Sequence, residues 1–292
     1  MPIIIKIFSD FVSSSNAAKN FVEVNNLYDD KEFNQIYGFT DKENYTHAII
    51  INTCQPKLNI KKENVIGIAF EPRINLQISK KFLKYAEENI GRYLIGDNKN
   101  LPKLFESHFA YMWHTPFLKE IPVKNKFSSI MISSKKRFSG HIYRHYLVKE
   151  ILKTNLPIDI WGNGCIFYKH YGDSRIKGNF KDKEPYLDYK FHISTENCQI
   201  DDYFSEKIID PLICSCTPIY LGCLKIDNYF KDIIKLSGDV GFDINLLKTI
   251  FNNQELYFKS INIEEVKSKI NIKNLINSYK NVNTECTKTI ST

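Results

Sequence analysis

Between residues 189 and 222 the chain reads YKFHISTENCQIDDYFSEKIIDPLICSCTPIYLG. Glu196, Asn197, Tyr203, Glu206 and Lys207 are the side chains in it best equipped for chemistry. YKFHIST predicts a buried strand, and a helix is predicted from about residue 202 with Asp201 or Asp202 as its cap. Glu196 and Asn197 then leave the strand tip while Tyr203, Glu206 and Lys207 occupy the first helical turns, so all five can meet one ligand. A helix start offers unpaired N–H groups and about half a positive charge, which suits a phosphate. Lys207 adds a full charge where the helix dipole disfavours one, at about 0.3–1 kcal/mol for an exposed side chain. Charge-assisted hydrogen bonds to a diphosphate, worth about 1.5–3 kcal/mol, outweigh that cost. A solvated helix end accounts for the Glu206-Lys207 pair without any ligand; a phosphorylated ligand accounts for all five side chains.

The elements that must position these residues follow from the apolar runs. Strands are predicted at 2–8, 46–53, 64–70 and 92–97, with helices at 16–24 and at 77–90, where Ile78, Phe82, Tyr85 and Ala86 share a face. After the Pro-punctuated segment 115–125 the pattern restarts, with strands at 127–134, 157–164, 189–195 and 217–222. The helix predicted over 141–153 sets Ile142, Tyr146, Leu147 and Ile151 on one stripe, and helical segments near 244–259 and 263–280 close the chain. Alternating strands and helices predict parallel sheets covered by helices, in two Rossmann-like α/β domains facing a cleft, with ligands at the carboxyl ends of strands. The domains are drawn at 1–120 and 121–282, with a flexible polar tail at 283–292.

Composition narrows the function classes. At 292 residues and 43% hydrophobic content the chain can bury two cores. The net charge of +7 is spread over scattered Lys, and without a basic stripe no nucleic-acid partner is expected. Only five of the 40 basic residues are Arg (Arg73, Arg92, Arg137, Arg144 and Arg175), which marks places where a planar bidentate fork could be needed. The seven cysteines lack C-x-x-C or Cys/His ligand spacing, so reduced thiols and no metal site are expected. The apolar N-terminal patch is broken by Lys6 and Asp10, too short for a signal peptide or a membrane span; a soluble, cytoplasmic protein is expected.

The pattern Y-K-F-x-x-x-x-E-N, then Y-x-x-E-K-I-I-D, then P-I-Y-x-G resembles the donor-site signature of the α-1,3-fucosyltransferases, glycosyltransferase family ten. It is spelled by Tyr189, Lys190, Phe191, Glu196, Asn197, Tyr203, Glu206, Lys207, Ile208, Ile209, Asp210, Pro218, Ile219, Tyr220 and Gly222. Upstream, FSSIMISSKKRFSGHIYRHYLVKEIL sets Arg144 at the family's helix-borne Arg, and WGNG at 161–164 is similar to its Gly-containing loop. The resemblance implies a GT-B fold and inverting transfer of L-fucose from GDP-fucose to a glycan or glycoconjugate hydroxyl, with no cofactor and no divalent metal required. It implies an acceptor-binding N-terminal domain and a donor-binding C-terminal one. It also implies that Arg144 and Lys207 hold the diphosphate, Glu206 the ribose hydroxyls, Tyr203 the nucleotide, and Glu196 with Asn197 the sugar end. The chain departs from the family at Thr195, where an aromatic is usual, at Ser133-Ser134-Lys135, and at Pro211, which should kink or end the signature helix. The same fold with another nucleotide sugar, or an inactive nucleotide- or glycan-binding protein, are the alternatives.

Inverting transfer also needs a carboxylate to accept the proton of the attacking hydroxyl. In the family that base is a Glu at a strand end of the N-terminal domain, and NVIGIAFEPRI sets Glu71 there. Pro72 would hold Glu71 extended, and Arg73 either pairs with it, orients it or meets an acidic acceptor. The segment 106–117 gathers His108, Trp113 and His114, candidates for the acceptor pocket or a half-buried core segment.

Overall fold

The structure, a computed structural model, describes residues 3–181 and 183–277; the tail expected at 283–292 lies outside them, as do the last residues of the helix expected over 263–280. Two compact units divide the chain: residues up to Met112 together with the chain from Ser268, and Trp113–Lys267.

The first unit contains β1 (Ile3–Phe8), α1 (Ser14–Val24), α2 (Lys31–Ile36), β2 (Tyr37–Thr40), β3 (His47–Ile51), β4 (Val65–Ile68), α3 (Arg73–Leu76), α4 (Lys80–Asn89), β5 (Arg92–Ile95) and β6 (Phe105–Ser107). Its strands form one parallel sheet in the order β2-β1-β3-β4-β5-β6. The strands are near-continuous apolar runs because both faces are covered, as β3 illustrates with all five residues buried. Ser13, Asp30 and Ser79 cap α1, α2 and α4 through their side chains. The expected face of α4 is buried at Phe82 and Ala86 and only partly at Tyr85. From Ser268 the chain returns to this unit, and Ile272 N donates to the buried Asn25 Oδ1 at 3.0 Å.

The second unit contains β7 (Lys126–Met131), α5 (Ser139–Leu152), β8 (Ile158–Trp161), β9 (Ile176–Gly178), β10 (Tyr189–Thr195), α6 (Glu206–Ile213), β11 (Thr217–Leu221), β12 (Ile234–Lys235), α7 (Val240–Asn252) and α8 (Gln254–Tyr257), and α9 (Ile263–Ile270) spans the boundary between the units. Its sheet is also parallel, in the order β12-β11-β10-β7-β8-β9. The chain builds outward from β7 through β8 and β9, then restarts on the other side of β7 with β10. The order therefore reverses between β7 and β10, and the crevice beyond their carboxyl ends is where such sheets bind ligands. Ile130, Leu147, Val148, Ile158, Ile160, Phe191, Ile193, Ile219 and Leu247 form the core around this point.

The buried stripe of α5 differs from the expected one. Ile142 and Tyr146 are 42% and 57% exposed, while Tyr143, Leu147, Val148 and Ile151 turn to the core and His141, Arg144 and His145 are buried beside them. Tyr143 donates to Asp243 Oδ2 on the neighbouring α7 at 2.6 Å, and His145 Nδ1 meets Tyr168 Oη at 2.7 Å. Partnered polar side chains thus take places that apolar periodicity reserves for isoleucine and tyrosine.

Candidate functional site

The loop after β10 and the start of α6 close around a buried charge cluster. Glu196, 1% exposed, follows β10 directly. Its Oε1 accepts from Ser205 N at 2.9 Å and from Ser205 Oγ at 3.1 Å, and Ser205 Oγ lies 2.8 Å from Oε2. Ser205 is the N-cap of α6, so the helix begins at Glu206 and not near residue 202. The reason lies in contacts distant in sequence: Glu196 captures Ser205, while Asp202 accepts from Lys225 Nζ at 3.2 Å and from Tyr229 Oη at 3.1 Å instead of capping a helix. The helix also continues two residues beyond Pro211, to Ile213.

Lys207 Nζ stands 2.7 Å from Glu206 Oε1, 3.6 Å from Glu196 Oε2 and 3.2 Å from Ser205 Oγ. Its side chain is 16% exposed, so it is not a solvated lysine. Burial lowers its pKa, but the Glu206 and Glu196 charges raise it further, leaving the ammonium firmly protonated. Burial pushes the Glu196 carboxyl up, with the neighbouring Glu206 charge adding to the rise against Lys207. Glu206 shows the opposite balance: burial raises it, and the charge and hydrogen bond of Lys207 bring it below the usual carboxylate range. Glu206 Oε2 is buried without a hydrogen-bond partner, a place where a ligand hydroxyl could donate.

Arg144 supplies the second cation, 8% exposed on the second turn of α5. Its Nη2 donates to Asn197 Oδ1 at 3.1 Å and its Nε to Gly140 O at 3.3 Å. Burial lowers its pKa, partly offset by the Glu196 and Glu206 charges. Gly140 N donates to Asn197 O at 3.0 Å, and a Cβ at Gly140 would fall 1.9 Å from Glu196 O, so only glycine lets α5 approach this loop so closely. The loop after β7 is buttressed in turn by the WGNG turn: Gly164 N donates to Ile132 O at 3.0 Å, and Asn163 Oδ1 accepts from Ser134 N at 2.8 Å. Beside Glu196 opens a cavity of about 370 Å³, lined in part by Gly140, Ile142, Tyr146, Gln199 and Leu221.

Arg144, Glu196, Asn197, Glu206 and Lys207 are thus brought together, and Tyr203, three residues before Glu206 in sequence, is buried at 1% exposed. Ser205, Gly140 and His141 complete the cluster. Ser205 stands inside the quoted motif, and its spacing from Glu206 was the available signal. His141 sits three residues before Arg144; burial and the charges of Arg144, Lys135 and Lys207 hold its imidazole down at about 4, so it is neutral at pH 7.

Glu71 and Arg73 belong to the first unit, where Glu71 Oε2 accepts from Asn75 Nδ2 at 2.7 Å and Arg73 donates to Lys99 O. His108, also in the first unit, stacks on Tyr111 with centroids 5.2 Å apart. Trp113 is buried at 4% exposed with its indole N–H unpartnered, and the charge of His114 bears on Glu206 in the second unit. Among the described residues no group of three or more His, Cys, Asp or Glu could hold a metal ion, and no helix is long and apolar enough to cross a membrane.

Residues 121–234 match the family model for the C-terminal region of glycosyltransferase family 10 (fucosyltransferase). Among solved structures, an α1,3-fucosyltransferase superposes with a TM-score of 0.57 at 15% identity, covering 96% of this chain and 89% of that one. An α1,3-fucosyltransferase with GDP-fucose gives 0.53 at 15% identity, with 88% and 80% covered. An α-glucosyltransferase in complex with UDP and DNA gives 0.60 at 10% identity, with 96% and 100% covered. At these identities the structures show a shared fold, the GT-B arrangement of two parallel-stranded α/β units. With these residues assembled in that fold, the chain is a glycosyltransferase of the GT-B fold, and its residues 121–234 are similar to the C-terminal region of glycosyltransferase family 10 (fucosyltransferase).

Proposed function

We propose that the protein transfers L-fucose from GDP-fucose to a hydroxyl of a glycan or glycoconjugate acceptor, with inversion at the anomeric carbon. The observation that carries this reading is the buried cluster at the carboxyl end of β10: two cations among carboxylates, with Glu206 Oε2 unpartnered. In this reading Arg144 and Lys207 hold the diphosphate and stabilise the charge that grows on it as the glycosidic bond breaks. Glu206 accepts from the ribose hydroxyls, Glu196 and Asn197 meet the sugar end, and Tyr203 is assigned to the nucleotide. The second unit is then the donor domain and the first the acceptor domain. Glu71 is assigned the role of base, taking the acceptor proton as the hydroxyl oxygen attacks, and Arg73, His108, Trp113 and His114 are assigned to the acceptor. Neither cofactor nor divalent metal enters these steps.

A thermal-shift and turnover panel across GDP-, UDP-, CDP- and dTDP-sugars tests the donor. The expected result is stabilisation by GDP and turnover of GDP-fucose. Preference for a UDP or dTDP sugar would keep the transferase and discard fucose, and stabilisation by no nucleotide diphosphate would overturn the site assignment.

A further inference from the structure

One turn beyond Glu206, α6 carries its second acidic side chain, Asp210, with no part in the donor roles above. Asp210 is 2% exposed, and its Oδ1 accepts the backbone N–H groups of both His114 and Thr115, each at 3.0 Å. Residues 108–118 form no helix or strand, yet Trp113, Thr115 and Phe117 are only 4%, 4% and 6% exposed. Buried amides need acceptors, and a single carboxylate oxygen on α6 serves two in succession. Because that oxygen is charged, both bonds are of the stronger kind. They join parts of the chain 95 and 96 residues apart in sequence, so they fix tertiary placement and not local conformation. The carboxylate is also costly to keep: burial pushes it up to about 6, with the charge of Glu206 opposing ionisation and the two amides and His114 favouring it. An apolar side chain would fill the space without that cost.

We propose that Asp210 is a positioning residue of the donor site, clamping the chain at His114 and Thr115 to set the rotation and depth of α6 and thereby the placement of Glu206 and Lys207. This deepens the donor reading and rests on it.

The test is the affinity for GDP of the full chain, measured calorimetrically for wild type, Asp210→Ala and Asp210→Asn at a temperature where circular dichroism shows each folded. Asp210→Ala is expected to bind GDP about tenfold or more weakly, the scale of one or two lost charge-assisted bonds. Asp210→Asn, whose amide oxygen can still accept both N–H groups, is expected within about threefold of wild type. Folded Asp210→Ala that binds like wild type would reduce Asp210 to a structural residue, and Asp210→Asn as weak as Asp210→Ala would replace the clamp by bare charge; either overturns the inference. If Asp210→Ala does not fold, hydrogen exchange on wild type decides. Protection of residues 113–116 and 206–213 should rise together on adding GDP, and a rise confined to 206–213 overturns the clamp. Wild type that binds neither GDP nor UDP would instead fell the donor reading itself, and the role of Asp210 with it.

Discussion

Lys207 holds its charge between two carboxylates, and that arrangement separates its structural from its functional worth. Lys207→Ala leaves Glu196 and Glu206 buried together without their ammonium, which should cost about 3–5 kcal/mol of stability. Binding of GDP should be lost as well; a thermal melt reads the first effect and calorimetry on the folded variant the second. Glu71→Gln should behave oppositely, keeping donor affinity and losing transfer, because the amide preserves shape but cannot take a proton. Unchanged turnover in that variant would reassign the base. The scarce arginines divide in the same way. Arg144 lies in the charge cluster, whereas Arg175 donates to the carbonyls of Ile151, Leu152 and Leu156 around the end of α5 and pairs with Asp173. Scarcity of Arg marks need for a fork, but a helix C-terminus needs one as much as a diphosphate does.

At the scale of elements, the site exists because the start of α5 meets the loop after β10. Gly140→Ala should force that contact apart, since the added methyl would meet a backbone carbonyl and not the end of a flexible side chain. The expected cost is about 1–3 kcal/mol in stability, accompanied by weaker GDP binding because Arg144 and Asn197 move with it. The signature helix carries its own pH signal through Asp210. In the fold its carboxyl is pushed up to about 6 from the ordinary 3.8, so its contribution to stability is fully present below the lower value and is lost as pH rises through the upper one. Facing it are His114 and Glu206. Asp210→Asn should therefore gain on wild type between pH 4 and pH 7, by roughly 3 kcal/mol for two pH units at about 1.4 kcal/mol each. Melting curves across that range check the sign; a gain that shrinks as pH rises would refute it.

On the scale of the whole molecule, the first unit is completed by residues far along the chain. Ile272 is fully buried, its N–H is held by Asn25 Oδ1, and Lys273 pairs with Asp30. Ile272→Ala should lower the stability of the first unit by about 2–5 kcal/mol. Limited proteolysis should then cut within residues 1–112 before it cuts within 113–267. Equal susceptibility of both would show that the returning chain adds nothing to the first unit.

The sequence by itself determined the two parallel sheets, because strands buried on both faces must be apolar runs and β-branched residues mark them plainly. It also determined the membership of the charge cluster, since Glu196, Asn197, Glu206 and Lys207 follow one another within a single strand, loop and helix, where spacing alone brings them near. Tertiary structure decided what lies between them. The order reversal between β7 and β10 brings Arg144 and Gly140 to Asn197 across more than fifty residues, and no local pattern encodes that pairing. The start of α6 falls at Glu206 because Glu196 reaches Ser205 across the loop while Asp202 is taken up by Lys225 and Tyr229. The clamp at Asp210 was likewise hidden: a carboxylate in a helix looks solvated until the fold buries it against amides from nearly a hundred residues away.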